Sequence, residues 1–214
     1  MSGQKEKKKS RNAEKDCGFK SLCIFGGTFD PVHNGHIRLA NFVQEELGVD
    51  KIIFVPSYLP PHKPENIYTS FRQRYEMLEI ATRDNPDFII STIEMEMQGV
   101  SYSYLTIEAL RKRYFLKTEK PYFLIGGDSL VNFHQWRYPE KILESAHVVV
   151  VNRSGNDFNS VNSDILGKVK ILNSPLINIS STEIRQRIST GQNCDYLVMQ
   201  LVLDYIYENS LYKP

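Results

Sequence analysis

Cysteine, net charge and long apolar runs are all scarce in this 214-residue chain. Cysteine stands only at positions 17, 23 and 194, an odd number with no CxxC pair. That argues against a disulfide framework or a thiolate zinc site and fits a reducing compartment. No apolar run approaches the roughly 18 residues needed to cross a bilayer. The basic N-terminus is not followed by the apolar core and small-residue cleavage site of a secretory signal. A cytoplasmic protein without a membrane partner is expected. The formal net charge is +1, with residues 1–20 carrying +4 and the remainder −3. So mildly acidic a body is a poor surface for nucleic acid, and no nucleic-acid partner is expected. Two glycine signatures of phosphate binding are also missing, G-x-x-x-x-G-K-[ST] and G-x-G-x-x-G.

Apolar residues make up 41% of the chain, enough for a folded globular body. Residues 1–19 are almost devoid of apolar content and read as a disordered basic tail; residues 20–214 read as a single domain. Short β-rich runs at 21–25, 51–55, 88–95, 122–126, 147–151 and 168–172 alternate with helical patterns at 34–47, 70–84, 103–116, 181–190 and 195–208. This alternation predicts an α/β, Rossmann-like fold: an open, mainly parallel sheet with helices on both faces. In such sheets ligands bind beyond the carboxyl ends of the strands. Three polar loops should converge there: 25–36 after the first strand, 126–129 after the fourth, and 178–185 after the last.

The first of these loops reads FGGTFDPVHNGH. Gly26 and Gly27, lacking Cβ atoms, let the backbone turn and approach a ligand closely. Asn34 is a candidate cap for the helix that follows. His33 and His36 then lie about one turn apart at the positive end of that helix, where anions are favoured. Taken singly, each residue also fits an ordinary strand–helix turn with two surface histidines. Near 180, Ser180 and Glu183 form an S-x-x-E capping pattern that needs no function. It leaves Arg185 unexplained: Ser181 and Arg185 share a face, and a hydroxyl, a guanidinium and a helix N-terminus together suit phosphates. Arg187 points elsewhere and reads as a surface residue.

The whole string resembles the (G)GTFDPxHxGH signature of the HIGH-motif nucleotidyltransferases. VPSYLPPHK (55–63), RYEML (74–78), GVSYSYLT (99–106), IGGDSL with Trp136, and NISSTEIR (178–185) follow in the order found in bacterial nicotinate-nucleotide adenylyltransferases. The similarity runs over roughly residues 20–213. It implies transfer of AMP from ATP to nicotinate mononucleotide, giving deamido-NAD and pyrophosphate. It implies His33, His36 and Arg185 as catalytic residues. It implies ATP contacts from Gly26, Gly27, Thr28, Phe29, His36, Gly126, Asp128, Ser180, Ser181, Thr182 and Arg185. It implies mononucleotide contacts from Lys63, Arg74, Tyr102, Ser103, Thr106 and Trp136, the only tryptophan. No metal site of the protein's own is expected; Mg²⁺ would be carried mainly by the ATP phosphates. Three departures stand out: Ser103 replaces the usual threonine, Ile107 the usual leucine, and the proline usual after the final cap region is absent from CDYLVMQLV. Rival readings are adenylyl transfer to nicotinamide mononucleotide or phosphopantetheine, cytidylyl transfer, a synthetase fragment, and a silent nucleotide-binding sensor.

The chemistry fits the residue types. A phosphate monoester is already anionic near pH 7, its second pKa being about 6, so the acceptor needs no general base. Positioning and charge neutralisation suffice. Asp30 accordingly reads as a turn-stabilising carboxylate rather than a base.

Overall fold

The computed structural model describes residues 18–61, 67–114, 119–152, 157–174 and 179–213. The apolar runs become β1 (Leu22–Gly27), β2 (Lys51–Pro56), β3 (Phe88–Ile90), β4 (Tyr122–Gly126), β5 (His147–Asn152) and β6 (Lys170–Asn173). Every pairing is parallel, and the order is β3-β2-β1-β4-β5-β6. The order reverses between β1 and β4, so a crevice opens beyond their carboxyl ends.

β1, β2, β4 and β5 are apolar on both sides because each face is covered. Cys23, Phe25, Ile52, Phe54, Val149 and Val151 pack on one face with α1 (Asn34–Leu47), α2 (Phe71–Thr82), α8 (Ser181–Ser189) and α9 (Gln200–Glu208). Leu22, Ile24, Ile53, Val55, Val148 and Val150 face the other layer, which holds α4 (Ser103–Arg113), α5 (Gly127–Val131) and α6 (Pro139–Ser145). The period-2 alternation of these strands divides their side chains between the two cores.

Local signals set the helix ends. α1 stops at Gly48, whose φ of 62° suits a residue without Cβ and whose N–H closes on the Gln44 carbonyl at 2.9 Å. α2 starts at Ser70, which exchanges capping bonds with Gln73. α1 is capped by His33 rather than Asn34: the His33 backbone N–H donates to His36 Nδ1 at 3.2 Å. Asn34 instead ties this corner to the chain before α9, its backbone and side-chain N–H groups reaching the carbonyls of Leu197 and Tyr196.

The expected strand over 88–95 ends at Ile90, and α3 (Ile93–Met97) follows. Beside it β2 ends at Pro56, which has no N–H to extend the ladder. Ser91 still donates to the Phe54 carbonyl, and its own hydroxyl then receives the Ile93 N–H, turning the chain out of the sheet. The last helix begins at Gln200 rather than 195, and α6 and the short α7 (Ser163–Leu166) were not expected. Among the described residues, no helix is long and apolar enough to cross a membrane.

Candidate active site

A cavity of about 1090 Å³ lies beyond the ends of β1 and β4. Ten of the expected site residues line it: Gly26, Gly27, Thr28, His36, Tyr102, Ser103, Thr106, Gly126, Asp128 and Trp136. The switch point of the sheet accounts for this convergence.

The two glycines of β1 do different work. Both are extended strand residues, paired with Val55 and Pro56, and neither takes a positive φ. A Cβ on Gly26 would meet nothing within 4 Å, so this position leaves room on the cavity side. A Cβ on Gly27 would fall 2.9 Å from the Phe29 ring. Phe29 itself turns the chain, with φ 53°, and its side chain is buried. Its ring packs edge-on to His36 at 5.0 Å and beside Phe25 and Phe54 at 5.5 and 5.7 Å. Phe29 therefore supports the site from beneath rather than lining the cavity.

His33 and His36 stack with ring centroids 3.7 Å apart. Because His36 Nδ1 accepts the His33 backbone N–H, a neutral His36 carries its proton on Nε2. His36 lines the cavity, whereas His33 is buried at 3% exposure beside it.

The α8 group does not line the cavity but is fastened to the main chain of the same turn. The Ser181 hydroxyl donates to the Pro31 carbonyl at 2.9 Å, and Arg185 Nη1 donates to the Asp30 carbonyl at 2.7 Å. Arg185 also reaches Thr182 Oγ1 and lies over the Tyr68 ring at 4.3 Å. Ser180 caps α8 by accepting the Glu183 N–H. The other half of the capping box is not made, since Glu183 pairs with Arg187 instead.

Asp30 is buried and accepts from the Tyr68 N–H at 2.7 Å and from the Thr69 and Tyr212 hydroxyls at 2.6 Å each. That is the turn-holding role expected of it. Arg74 is buried too; it donates to the Thr28 carbonyl at 2.8 Å, and burial lowers its pKa against the opposing pull of Asp30. It braces the turn from α2. Lys63 lies outside the described residues.

On the far side of the cavity, α4 begins at Ser103 with Tyr102 as its cap residue. The first helical N–H groups have no acceptor within the helix. Trp136 lines the same region, half-buried against Phe133 and Phe123 at 5.4 and 6.3 Å. Asp128 sits in the first turn of α5 rather than capping it, since Gly126 is the cap residue.

Several residues of the cavity wall escaped the sequence reading, among them a carboxylate held from two sides. Glu94, on α3, accepts the Thr106 hydroxyl at 2.7 Å through Oε1 and the Tyr58 N–H at 3.1 Å through Oε2. Thr106, 3% exposed, thus spends its only donor on Glu94 rather than on a ligand. A strand assignment over 88–95 hid this carboxylate. The signal that could have found it is Ser91–Thr92, two candidate helix-cap residues before an acidic first turn.

The Cytidylyltransferase-like family model matches residues 24–187. A Bacillus subtilis protein named nicotinate-nucleotide adenylyltransferase is 37% identical over 194 residues, covering 91% of this chain and 99% of that one. A Dictyoglomus thermophilum protein described as a probable nicotinate-nucleotide adenylyltransferase is 38% identical, covering 88% and 97%. Among solved structures, the Plasmodium falciparum nicotinic acid mononucleotide adenylyltransferase, complexed with APC in one case and NaAD in another, has a TM-score of 0.72 in both, at 20% and 22% identity, covering 90% of this chain and 97% of that one. Those two likenesses speak for the fold, whereas the curated relatives match nearly end to end at higher identity. This chain belongs to the nicotinate-nucleotide adenylyltransferase family.

Proposed function

We propose that the protein transfers the adenylyl group of ATP to the 5′-phosphate of nicotinate mononucleotide. A phosphate oxygen of the mononucleotide attacks the α-phosphorus of ATP. The bond from that phosphorus to the bridging oxygen breaks, and deamido-NAD and pyrophosphate form. The observation that carries this reading is one cavity with two chemically distinct ends. One end has glycine strand ends and His36; the other has Trp136 and the opening of α4.

In this reading His36 Nε2–H donates to a phosphate oxygen and stabilises charge as it shifts from acceptor to leaving group. Gly26 and Gly126, whose missing Cβ atoms would face open space, admit the nucleotide close to the strand ends. Arg185, Ser181 and Thr182, on the helix fastened to the same turn, receive the β- and γ-phosphates. His33 acts by holding His36. Mg²⁺ enters with ATP as part of the substrate. Among the described residues no group of three or more His, Cys, Asp or Glu gathers to hold a cation, and the Glu94 oxygens are already engaged. Phosphate oxygens and water are the ligands that suit Mg²⁺ here.

The pyridine ring stacks on Trp136, and its carboxylate accepts from the opening N–H groups of α4. A carboxamide would turn an NH₂ toward one of them. One unpaired donor costs about 1–3 kcal/mol, on the order of 10- to 100-fold in kcat/KM. The test is product formation from MgATP with nicotinate mononucleotide, nicotinamide mononucleotide and phosphopantetheine in parallel. Deamido-NAD should form fastest. Turnover of phosphopantetheine alone would overturn the acceptor, and equal rates with the two mononucleotides would overturn the α4 argument.

A further inference from the structure

Tyr212 lies beyond α9, far in sequence from the turn at 28–33, yet its hydroxyl donates to Asp30 Oδ1 at 2.6 Å. The backbone around it is unusual. Ser210 and Tyr212 both take positive φ, 53° and 60°, which side-chain-bearing residues adopt only when their surroundings hold them there. Leu211 between them is buried in the core, and its N–H donates to the Ile206 carbonyl. The segment is thus pinned so that Tyr212 points at Asp30.

Asp30 is a junction. Its carboxylate receives Tyr212, Thr69 and the Tyr68 N–H, while its carbonyl receives Arg185. Tyr68, held by Oδ2, presents its ring under the Arg185 guanidinium at 4.3 Å. Both contacts that fix Arg185 to the turn therefore pass through Asp30. The turn itself carries Phe29, which packs against His36.

We propose that Tyr212 is a positioning residue for triphosphate binding: its hydroxyl fixes the Asp30 carboxylate, and through Asp30 and Tyr68 it sets the place of Arg185. The inference rests on the adenylyl-transfer reading above. Burial, reinforced by Asp30, pushes the Tyr212 hydroxyl far above the ordinary tyrosine pKa, so it stays a donor at any working pH.

A control of the same chemistry exists elsewhere in the fold. The Tyr205 hydroxyl donates to Glu76 at 2.5 Å and joins α9 to α2, with no bond to the turn. Tyr212→Phe and Tyr205→Phe each remove one tyrosine–carboxylate hydrogen bond and keep the ring. The experiment measures the affinity for Mg-bound α,β-methylene ATP by calorimetry, KM for both substrates, kcat and Tm. Tyr212→Phe should weaken analogue binding and raise the MgATP KM by about five- to tenfold. The mononucleotide KM should stay within about twofold, because among the described residues neither Trp136 nor Ser103 is hydrogen-bonded to Asp30. Tyr205→Phe should lower Tm with both affinities kept. The proposal is overturned if Tyr212→Phe binds the analogue within twofold of wild type, or if Tyr205→Phe weakens it equally. Wild type that binds the analogue but, given MgATP, leaves nicotinate mononucleotide unmodified would overturn the acceptor reading, and the affinity comparison would still decide the role of Tyr212.

Discussion

Gly26 and Gly27 adjoin in sequence and both line the cavity, yet alanine should act on them in opposite ways. At Gly27 the new Cβ falls 2.9 Å from Phe29 Cζ and 3.1 Å from both Cε atoms, all inside ordinary contact distance. The ring has little room to retreat. It is 2% exposed, enclosed by Phe25, Phe54 and His36, and its backbone is held at φ 53°. One methyl forced into a packed site costs about 1–3 kcal/mol. For a domain of this size, each kcal/mol moves Tm by about 2–4 °C, so Gly27→Ala should melt roughly 2–12 °C lower. The strain also has a direction. Pushed off Gly27, the Phe29 ring presses on His36, whose centroid is 5.0 Å away, so kcat should fall beyond the loss of folded protein.

At Gly26 the methyl meets nothing within 4 Å. Alanine in an extended strand loses less entropy on folding, so Gly26→Ala should keep Tm or raise it by the equivalent of about 0.5–1 kcal/mol. The methyl would occupy space that the nucleotide needs, and the MgATP KM should rise at least about tenfold, a cost near 1.4 kcal/mol. Differential scanning calorimetry and steady-state kinetics on the two variants separate these effects. Unchanged Tm and kcat in Gly27→Ala would show that Phe29 yields freely and refute the packing argument. An unchanged MgATP KM in Gly26→Ala would refute the close approach.

Three further outcomes are expected. His36→Ala should lower kcat by about 10²–10³, the usual cost of removing one donor to developing charge, with the fold kept and Tm lowered only by the lost cap of α1; near wild-type turnover in a pyrophosphate-release assay would remove His36 from the chemistry. Trp136→Ala should raise the mononucleotide KM by about 5- to 150-fold, matching about 1–3 kcal/mol for a ring stacked on an aromatic face, while Trp136→Phe should recover most of it; equal losses in the two would show that packing on Phe133, not stacking, is at stake. The Tyr205 hydroxyl is pushed up to about 12, first by burial and then by its bond to Glu76, so its protonated form is favoured in the fold. That stability is fully present below pH 10 and is lost as pH rises towards 12; over this range wild-type Tm should fall more steeply than that of Tyr205→Phe, and parallel curves would refute it.

What could be read in the sequence was whatever depends on local pattern. Continuous apolar runs such as HVVVV require two covered faces, and alternation with helices requires parallel strands; both follow from burial and connection geometry alone. The cavity's position followed in turn, because the crevice belongs to the topology and not to particular side chains. What could not be read depends on contacts between distant segments. Nothing near Gly27 shows that its missing Cβ makes room for the ring two residues on, since that requires knowing that Phe29 folds back beneath the strand. The α8 motif was read as one face shared by Ser181 and Arg185; in the structure that face grips the Asp30 and Pro31 carbonyls, a partnership across about 150 residues. Glu94 was missed for the same reason: as a strand residue it would have faced a sheet surface, whereas two donors from α4 and the chain after β2 make a buried carboxylate tolerable at the cavity wall. It bears on selectivity. In the proposed reading the pyridine end lies beside Glu94, whose charge opposes a carboxylate substrate; its two hydrogen bonds spread that charge without removing it. Preference for the acid must therefore come from the opening N–H groups of α4 against Glu94. Glu94→Gln keeps the shape and removes the charge, so it should increase the preference for nicotinate over nicotinamide mononucleotide. A decrease would mean that Glu94 orders Thr106 and Tyr58 for the carboxylate more than it repels it.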